Sequence, residues 1–192
     1  MGLSAFATAL LNYVGDVIVN TSGRPVPDRV LRYWGSRGLP DDCCTANGVL
    51  SATMHDGWST REFPANVAMR PLPDCPQRPL WAVNVRYIVC WSEPTDWTPA
   101  GPPTLDDGTW DADAAMLMDV SDDVARALLR LGCAGISEEP PERLELARTL
   151  MGWVWPYGHL RLRSTEPQGP AGMCAGIVWQ VLVETLPDPE FS

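Results

Sequence analysis

The sequence predicts an α+β fold: an antiparallel sheet of about four or five strands with helices packed on one of its faces. Three patterns predict it. Apolar residues recur at helical spacing over residues 2–20, and apolar and polar residues alternate over 80–91 and 173–186. A second helical pattern lies between these strands, over residues 111–131. Runs of strands with segregated helices are typical of a sheet covered on one face.

The N-terminal helix is predicted over residues 2–20. Its apolar stripe consists of Leu3, Phe6, Leu10, Val14 and Val17. Asn12 and Asp16 interrupt the apolar run, so we expect it to be too short and too polar to span a bilayer. After a loop rich in proline and glycine, the segment from Asp28 to Trp34 is expected to make one helical or irregular turn.

The strands are predicted from alternation and turn residues. Residues 49–56 form a strand, Asp56 and Gly57 make a turn, and a return strand begins at Trp58. Residues 80–91 are the clearest strand, because Val83, Val85 and Tyr87 share one face with Trp81, Val89 and Trp91. Residues 157–164 and 173–186 form the last two strands, and the turn between them covers Glu166 to Gly172.

The remaining segments are two helices and two long loops within a single domain, residues 1–192. Asp111 is expected to cap a helix that ends at Leu131, with Gly132 just beyond it. Its apolar side is expected to consist of Ala115, Met118, Val124, Leu128 and Leu131. A shorter helix is predicted over 137–151. Segments 57–79 and 92–111 are predicted as proline-rich loop insertions, and residues 187–192 as a loose acidic tail.

Composition excludes some classes of partner. The chain has 192 residues and a formal net charge of -10, and all of its basic side chains are arginines. That charge opposes tight binding to nucleic acid, which requires clustered cations, and docking on anionic membranes. Hydrophobic residues make up 45% of the chain, which is enough for a sizeable core.

Residues able to carry chemistry are few. His55 and His159 are the only histidines, and each is interpreted as a strand residue facing solvent, with a general base or metal ligand as the other interpretation. Cys43 and Cys44 with Cys75 and His55 would supply four metal ligands, but adjacent cysteines point to different sides of an extended chain. We therefore expect no catalytic, cofactor or metal site, and mostly reduced thiols in an intracellular protein.

Tryptophans suggest a different use of the surface. Trp58, Trp97 and Trp110 all fall in the predicted loops. Tryptophan is costly to expose and common at protein interfaces. These three residues are therefore candidate interface anchors, with burial against their own sheet as the alternative.

Three segments carry a family resemblance. The first joins Cys43 and Cys44 to Gly48, and the second is the long strand over 80–91, whose end contains Cys90. The third, near the C-terminus, contains Gly169, Gly172, Cys174, Gly176 and Trp179. In this order, over about residues 42–185, the set resembles the neck and tail-completion proteins of long-tailed actinobacterial phages, and most of all the tail terminator.

The resemblance implies a structural virion protein rather than an enzyme. It implies a hexameric ring that caps the tail tube, contacts the tail tube protein and the head-to-tail connector or stopper proteins, and lets DNA pass through its channel. The location would be the tail-neck junction, and the host cytoplasm during assembly. An acidic channel wall would not trap passing DNA.

Three alternatives remain open. The chain could be a connector, either adaptor or stopper, on the portal side of the neck. It could be an enzyme with a cysteine nucleophile beside His55 or His159, which would require a low-pKa thiol. It could also be a binding module stabilised by a metal ion.

Overall fold

The computed structural model describes residues 2–34, 45, 47–60, 78–90, 107–154, 159–171 and 174–184. The helices are α1 (Gly2–Asp16), α2 (Asp107–Ala134) and α3 (Leu144–Met151). A π-helical turn at Val17–Thr21 continues α1, and a 3₁₀ turn at Gly135–Glu138 follows α2. The strands are β1 (Arg29–Trp34), β2 (Val49–Thr60), β3 (Arg78–Cys90), β4 (Leu160–Ala171) and β5 (Cys174–Glu184).

The five strands form one mixed sheet in the order β1-β2-β3-β5-β4. The pairs β2–β3, β3–β5 and β4–β5 are antiparallel, as predicted, whereas β1 runs parallel to β2. The α+β class is therefore confirmed, with five strands and three α-helices in the part of the chain that the structure describes. Among the described strands, β1 and β4 lie at the two edges.

The segment predicted as a helical or irregular turn, residues 28–34, contains strand β1 instead, so that prediction is wrong. Its β-branched and aromatic residues suit an extended chain. Asp28 fixes its position: its backbone N–H donates to the Gly48 carbonyl at 3.0 Å, and its carboxylate accepts from the backbone and side-chain nitrogens of Asn47, each at 2.9 Å. These bonds set the register that starts at Arg29 and Val49.

The predicted turn at Asp56 and Gly57 is also wrong. Strand β2 continues to Thr60 through a register irregularity between Met54 and Asp56, and Gly57 and Trp58 pair with residues of β3. A bulge of this kind absorbs an extra residue without ending the strand. Residues 57–60 and 78–79 of the predicted loop 57–79 therefore belong to strands, and 61–77 lie outside the described residues.

The second predicted turn, from Glu166 to Gly172, begins too early. Strand β4 extends to Ala171 and stays paired with β5, with an irregularity between Gln168 and Ala171. Pro167 lies within this strand opposite Ile177. β4 is an edge strand, so one of its sides has no partner strand. A proline, which lacks the backbone N–H, is tolerated in such a strand.

Helix α2 is longer than predicted at both ends. It begins at Asp107 rather than after Asp111, so 107–111 of the predicted loop 92–111 are helical. Residues 92–106 lie outside the described part. Gly132, predicted beyond its end, lies inside it, where a Cβ would collide with the Leu160 carbonyl oxygen of β4. The helix ends before Gly135, whose φ of 65° is typical of a terminating glycine.

The helical layer covers one face of the sheet. α1, predicted over 2–20, contacts β1 and β2, while α2 contacts β4 and β5. Trp179 of β5 is fully buried beneath this layer, and its indole N–H donates to the Ser121 carbonyl at 3.3 Å. The predicted alternation of β3 and β5 is confirmed, since Val83, Val85 and Ile177 belong to the core formed with the helices. Helix α3 begins at Leu144 and is therefore shorter than the helix predicted over 137–151.

Candidate functional site: surfaces at the two edges of the sheet

A buried ionic cluster ties the helices together. The Arg143 side chain, 5% exposed, donates from Nε to Asp16 Oδ2 at 2.8 Å and from Nη2 to Thr21 Oγ1 at 2.6 Å. Tyr13 donates its hydroxyl proton to Glu139 Oε1 at 2.9 Å, and the Arg143 guanidinium lies 5.8 Å from the centre of the Tyr13 ring. The cluster therefore joins α1 and its π-helical turn to the chain that precedes α3.

The electrostatics of this cluster favour a structural role. Burial raises the pKa of Tyr13 well above its ordinary value, and the neighbouring Glu139 carboxylate raises it further. A phenol with a raised pKa holds its proton, and so serves as a fixed hydrogen-bond donor. Arg143 in turn supplies the positive charge that Asp16 and Glu139 require in the interior.

An apolar groove lies between α2 and the β4–β5 pair, which we call the α2 groove. Its volume is about 510 Å³. The helix and β4 touch at Gly132, and the groove opens where the N-terminal half of the helix faces the far half of the strand. The lining side chains include Leu117, Met118, Ala125, Thr165, Pro167 and Ile177.

The outer side of α2 extends this apolar surface. Met118 is 69% exposed and Leu129 is 49% exposed, and both lie on the same side of the helix as Ala125. Of the predicted apolar side of this helix, Val124, Leu128 and Leu131 are buried as expected. Ala115 and Met118 were predicted on that side too, and the structure exposes both, so the prediction is wrong for these two. The exposed carboxylates of Asp111 and Asp122 belong to the same side, and Arg126 is paired with Asp122, so the surface is apolar with a charged border.

A second apolar surface lies at the opposite edge of the sheet, between α1 and β1, and we call it the β1 trough. It consists of two cavities of about 320 and 220 Å³. Val26, 67% exposed, and Val30, 51% exposed, stand at its border. The lining also includes Leu3, Ala7, Leu11, Val19, Leu50 and Met54.

The β1 trough carries an exposed arginine. Arg32 lines one of its two cavities, and its guanidinium donates to the hydroxyls of Ser4 at 3.0 Å and Thr8 at 2.9 Å. Two carboxylates near the trough are engaged within the chain: Asp16 by Arg143 and Asp28 by Asn47. The trough therefore presents apolar side chains with a basic group beside them.

The predicted interface tryptophans do not all lie in loops. Trp58 lies in β2 opposite Leu80, and Trp110 lies in the first turn of α2; the description does not extend to their side chains. Trp97 lies outside the described residues. The loop placement is therefore wrong for Trp58 and Trp110, and their role as interface anchors stays a prediction.

Most of the family-motif residues that the structure describes lie in or beside the central strands β2, β3 and β5. A Cβ on Gly48 would lie 2.6 Å from the Ile88 carbonyl oxygen, and one on Gly176 would collide with the Tyr87 carbonyl oxygen. Both glycines thus permit close packing against β3. Gly169 lies in β4, and Trp179 is the buried indole described above. Cys43, Cys44 and Gly172 lie outside the described residues.

Two of the motif cysteines are neighbours in the sheet. Cys90, at the end of β3, lies opposite Cys174, at the start of β5. Cys174 is disulfide-bonded, whereas Cys90 is a thiol, so the two are not joined to each other. The disulfide at Cys174 departs from the expectation of mostly reduced thiols. Cys133 on α2 is an exposed thiol that accepts a hydrogen bond from Arg161 at 3.5 Å.

The histidines occupy different surroundings. His159 Nδ1 lies 2.5 Å from Glu184 Oε2, and the Glu184 side chain is buried, so His159 is not a simple solvent-facing residue as predicted. The backbone of His55 lies in β2 beside the register irregularity, and its side chain falls outside the description. Within the described part of the chain, no three histidine, cysteine or acidic side chains are grouped as a metal site.

Among the described residues, one helix has the length and composition of a membrane span. It covers Leu3–Thr21, so the expectation that this segment is too short and too polar is wrong. Its packing gives a separate reason for its apolar character. Phe6, Leu10, Tyr13 and Val14 are fully buried in the core beneath the helical layer.

No protein-family model matches the chain, and a comparison with curated proteins finds no significant match.

Proposed function

We propose that the chain is a structural assembly protein, the tail terminator of a long-tailed phage. In this role copies form a ring on the tail tube, join it to the neck, and leave a channel for DNA. The observation that carries the proposal is the pair of apolar surfaces at opposite edges of the sheet, the α2 groove and the β1 trough.

The exposed apolar side chains support association. Met118 and Leu129 are grouped at one edge, and Val26 and Val30 at the other. Grouped apolar exposure of this kind is typical of surfaces that bind other proteins. Two different surfaces on one chain suit a head-to-tail contact, which closes into a ring when the rotation between subunits allows it.

The sequence resemblance supplies the particular assembly. Gly48, Gly176 and Trp179 of the resembling segments all contribute to packing at the centre of the sheet. This is what residues that maintain a fold would do, and it fits a protein whose function lies in its surfaces. The net charge of -10 suits a ring through which DNA passes without being held.

The first experiment is to measure the assembly state of the purified protein by mass photometry and negative-stain microscopy. We expect closed rings with a central channel, most of them hexameric. A strict monomer at high protein concentration would contradict the proposal.

A second experiment locates the ring. Gold-labelled protein, added to tail tubes and to portal-containing heads from the same phage, should bind the ends of the tubes. Binding to the portal side instead would assign the chain to the connector proteins, and turnover of a substrate that depends on a cysteine would assign it to enzymes.

A further inference from the structure

We propose that the α2 groove of one copy binds the β1 trough of the next copy, head to tail. This inference rests on the proposed function, because it names the contact through which the copies associate. In this contact the exposed stripe of α2 enters the trough of the next copy, and Val26 and Val30 of that copy cover the groove.

Shape supports this pairing. The α2 groove is bordered by an exposed apolar ridge, Met118 and Leu129, on a helix of 28 residues. The β1 trough consists of two cavities that lie along the same contact between a helix and an edge strand and share no lining residue. A helical ridge packs naturally into a groove between two elements, and buried apolar anchors supply most of the binding free energy.

Charge supports the same pairing and disfavours one alternative. The groove is bordered by Asp111 and by the exposed pair of Asp122 and Arg126, whereas Arg32 lies in the trough. The two carboxylates can face Arg32 of the next copy, whereas trough against trough would bring arginines together. The pair between Asp122 and Arg126 is exposed and contributes little within the chain, so Asp122 can turn to a neighbour at small cost.

The positions of the two surfaces make the contact heterologous. The groove and the trough lie at opposite edges of the five-stranded sheet. Four strand spacings separate the two edge strands, which corresponds to about 19 Å. Each copy therefore offers one groove and one trough, and every copy can bind two neighbours. Association through such a contact continues until a ring closes.

The test uses one variant for each surface. Met118→Glu places a charge on the groove and leaves the trough intact, whereas Val30→Glu does the reverse. Both side chains are largely exposed, so neither substitution removes core packing. Ala112→Glu is the control, because Ala112 is exposed on the same helix but lies away from the groove.

We expect each single variant to be monomeric by mass photometry and the control to assemble like the unchanged protein. A one-to-one mixture of the two variants should give dimers and nothing larger, since only one intact groove and one intact trough can then meet. Circular dichroism verifies folding. Should a variant fail to fold, Leu129→Glu and Val26→Glu replace it on the same surfaces.

The outcomes separate this inference from the proposed function. Assembly of the unchanged protein that neither variant weakens would overturn the inference and leave the ring proposal standing. A mixture that stays monomeric, or a single variant that dimerises alone, would also overturn the head-to-tail contact. A monomeric unchanged protein would overturn both.

Discussion

Similar apolar residues are buried on the inner side of α2 and exposed on its outer side. Leu128 is fully buried against the sheet, and its neighbour Leu129 is 49% exposed. Leu117 is buried, and Met118 beside it is the most exposed large apolar side chain among the described residues. One helix therefore carries two apolar stripes, of which folding uses the inner one. An apolar residue in a helix therefore does not by itself identify the core.

The strongest contrast between interior and surface concerns charge. Replacing Arg143 with alanine should lower the free energy of unfolding by about 3–5 kcal/mol, because Asp16 and Glu139 would remain buried without their cation. Arg148→Ala is the matched control on α3, where the pair with Glu145 is exposed, and should cost less than about 0.5 kcal/mol. Urea unfolding of both variants measures the difference. Equal losses would refute the assigned roles.

The two adjacent leucines of α2 give the next largest effect. Leu128→Ala should lower the free energy of unfolding by about 3 kcal/mol, since it leaves a cavity in the core. Leu129→Ala should change it by less than about 0.5 kcal/mol in the monomer, yet weaken association. Chemical denaturation of dilute protein separates these cases. A large loss for Leu129→Ala would mean that the outer stripe belongs to the fold.

The pH dependence of the free energy of unfolding tests the role of Tyr13 in the ionic cluster. Tyr13→Phe should lower the free energy of unfolding by about 1–3 kcal/mol at neutral pH, because Glu139 loses a buried donor. The pKa of Tyr13 is raised above its ordinary value of 10.0, so the unfolded chain ionises first and this contribution fades as the pH rises past 10. The difference in free energy of unfolding between the unchanged protein and Tyr13→Phe, measured by urea unfolding, should therefore narrow above pH 10. A difference that stays constant with pH would argue against the buried phenol.

The smallest effect should come from Asp28, at the start of the parallel pair. Hydrogen bonds from Asn47 lower the pKa of Asp28 below its ordinary value of 3.8. Its stabilising effect is therefore present above pH 3.8 and lost as the pH falls further. Asp28→Ala should lower the Tm slightly at pH 7 and less at acid pH, in calorimetry. An unchanged Tm at pH 7 would mean that β1 docks without this clamp.

The sequence predicted the elements that have their own pattern. α1, β3 and β5 were found because residues such as Leu10, Val85 and Trp179 repeat at helical or strand spacing. Strand β1 was missed because its six residues show no alternation, and it depends on long-range bonds from Asp28 to Asn47 and Gly48. The turns at Asp56 and Glu166 were misplaced because pairing with β3 and β5 overrode local turn chemistry.

The surfaces were harder to predict than the fold. Both stripes of α2 repeat at spacings of three and four residues, so periodicity cannot tell Met118 from Leu117. The side that meets the sheet is set by tertiary contacts such as that between Gly132 and Leu160. The groups of the ionic cluster, Tyr13 and Arg143, are 130 residues apart along the chain and gave no local signal.

Oxidation of Met118 by dilute hydrogen peroxide, followed by peptide mass spectrometry, tests the edge-to-edge contact most directly. Met118 is exposed in a single copy, and oxidation of methionine follows exposure. We predict that Met118 is protected in the assembled protein and becomes reactive in Val30→Glu, although Val30 lies at the other edge of the sheet. Equal oxidation rates of Met118 in the two proteins, with buried Met151 unreactive in both, would contradict the head-to-tail contact.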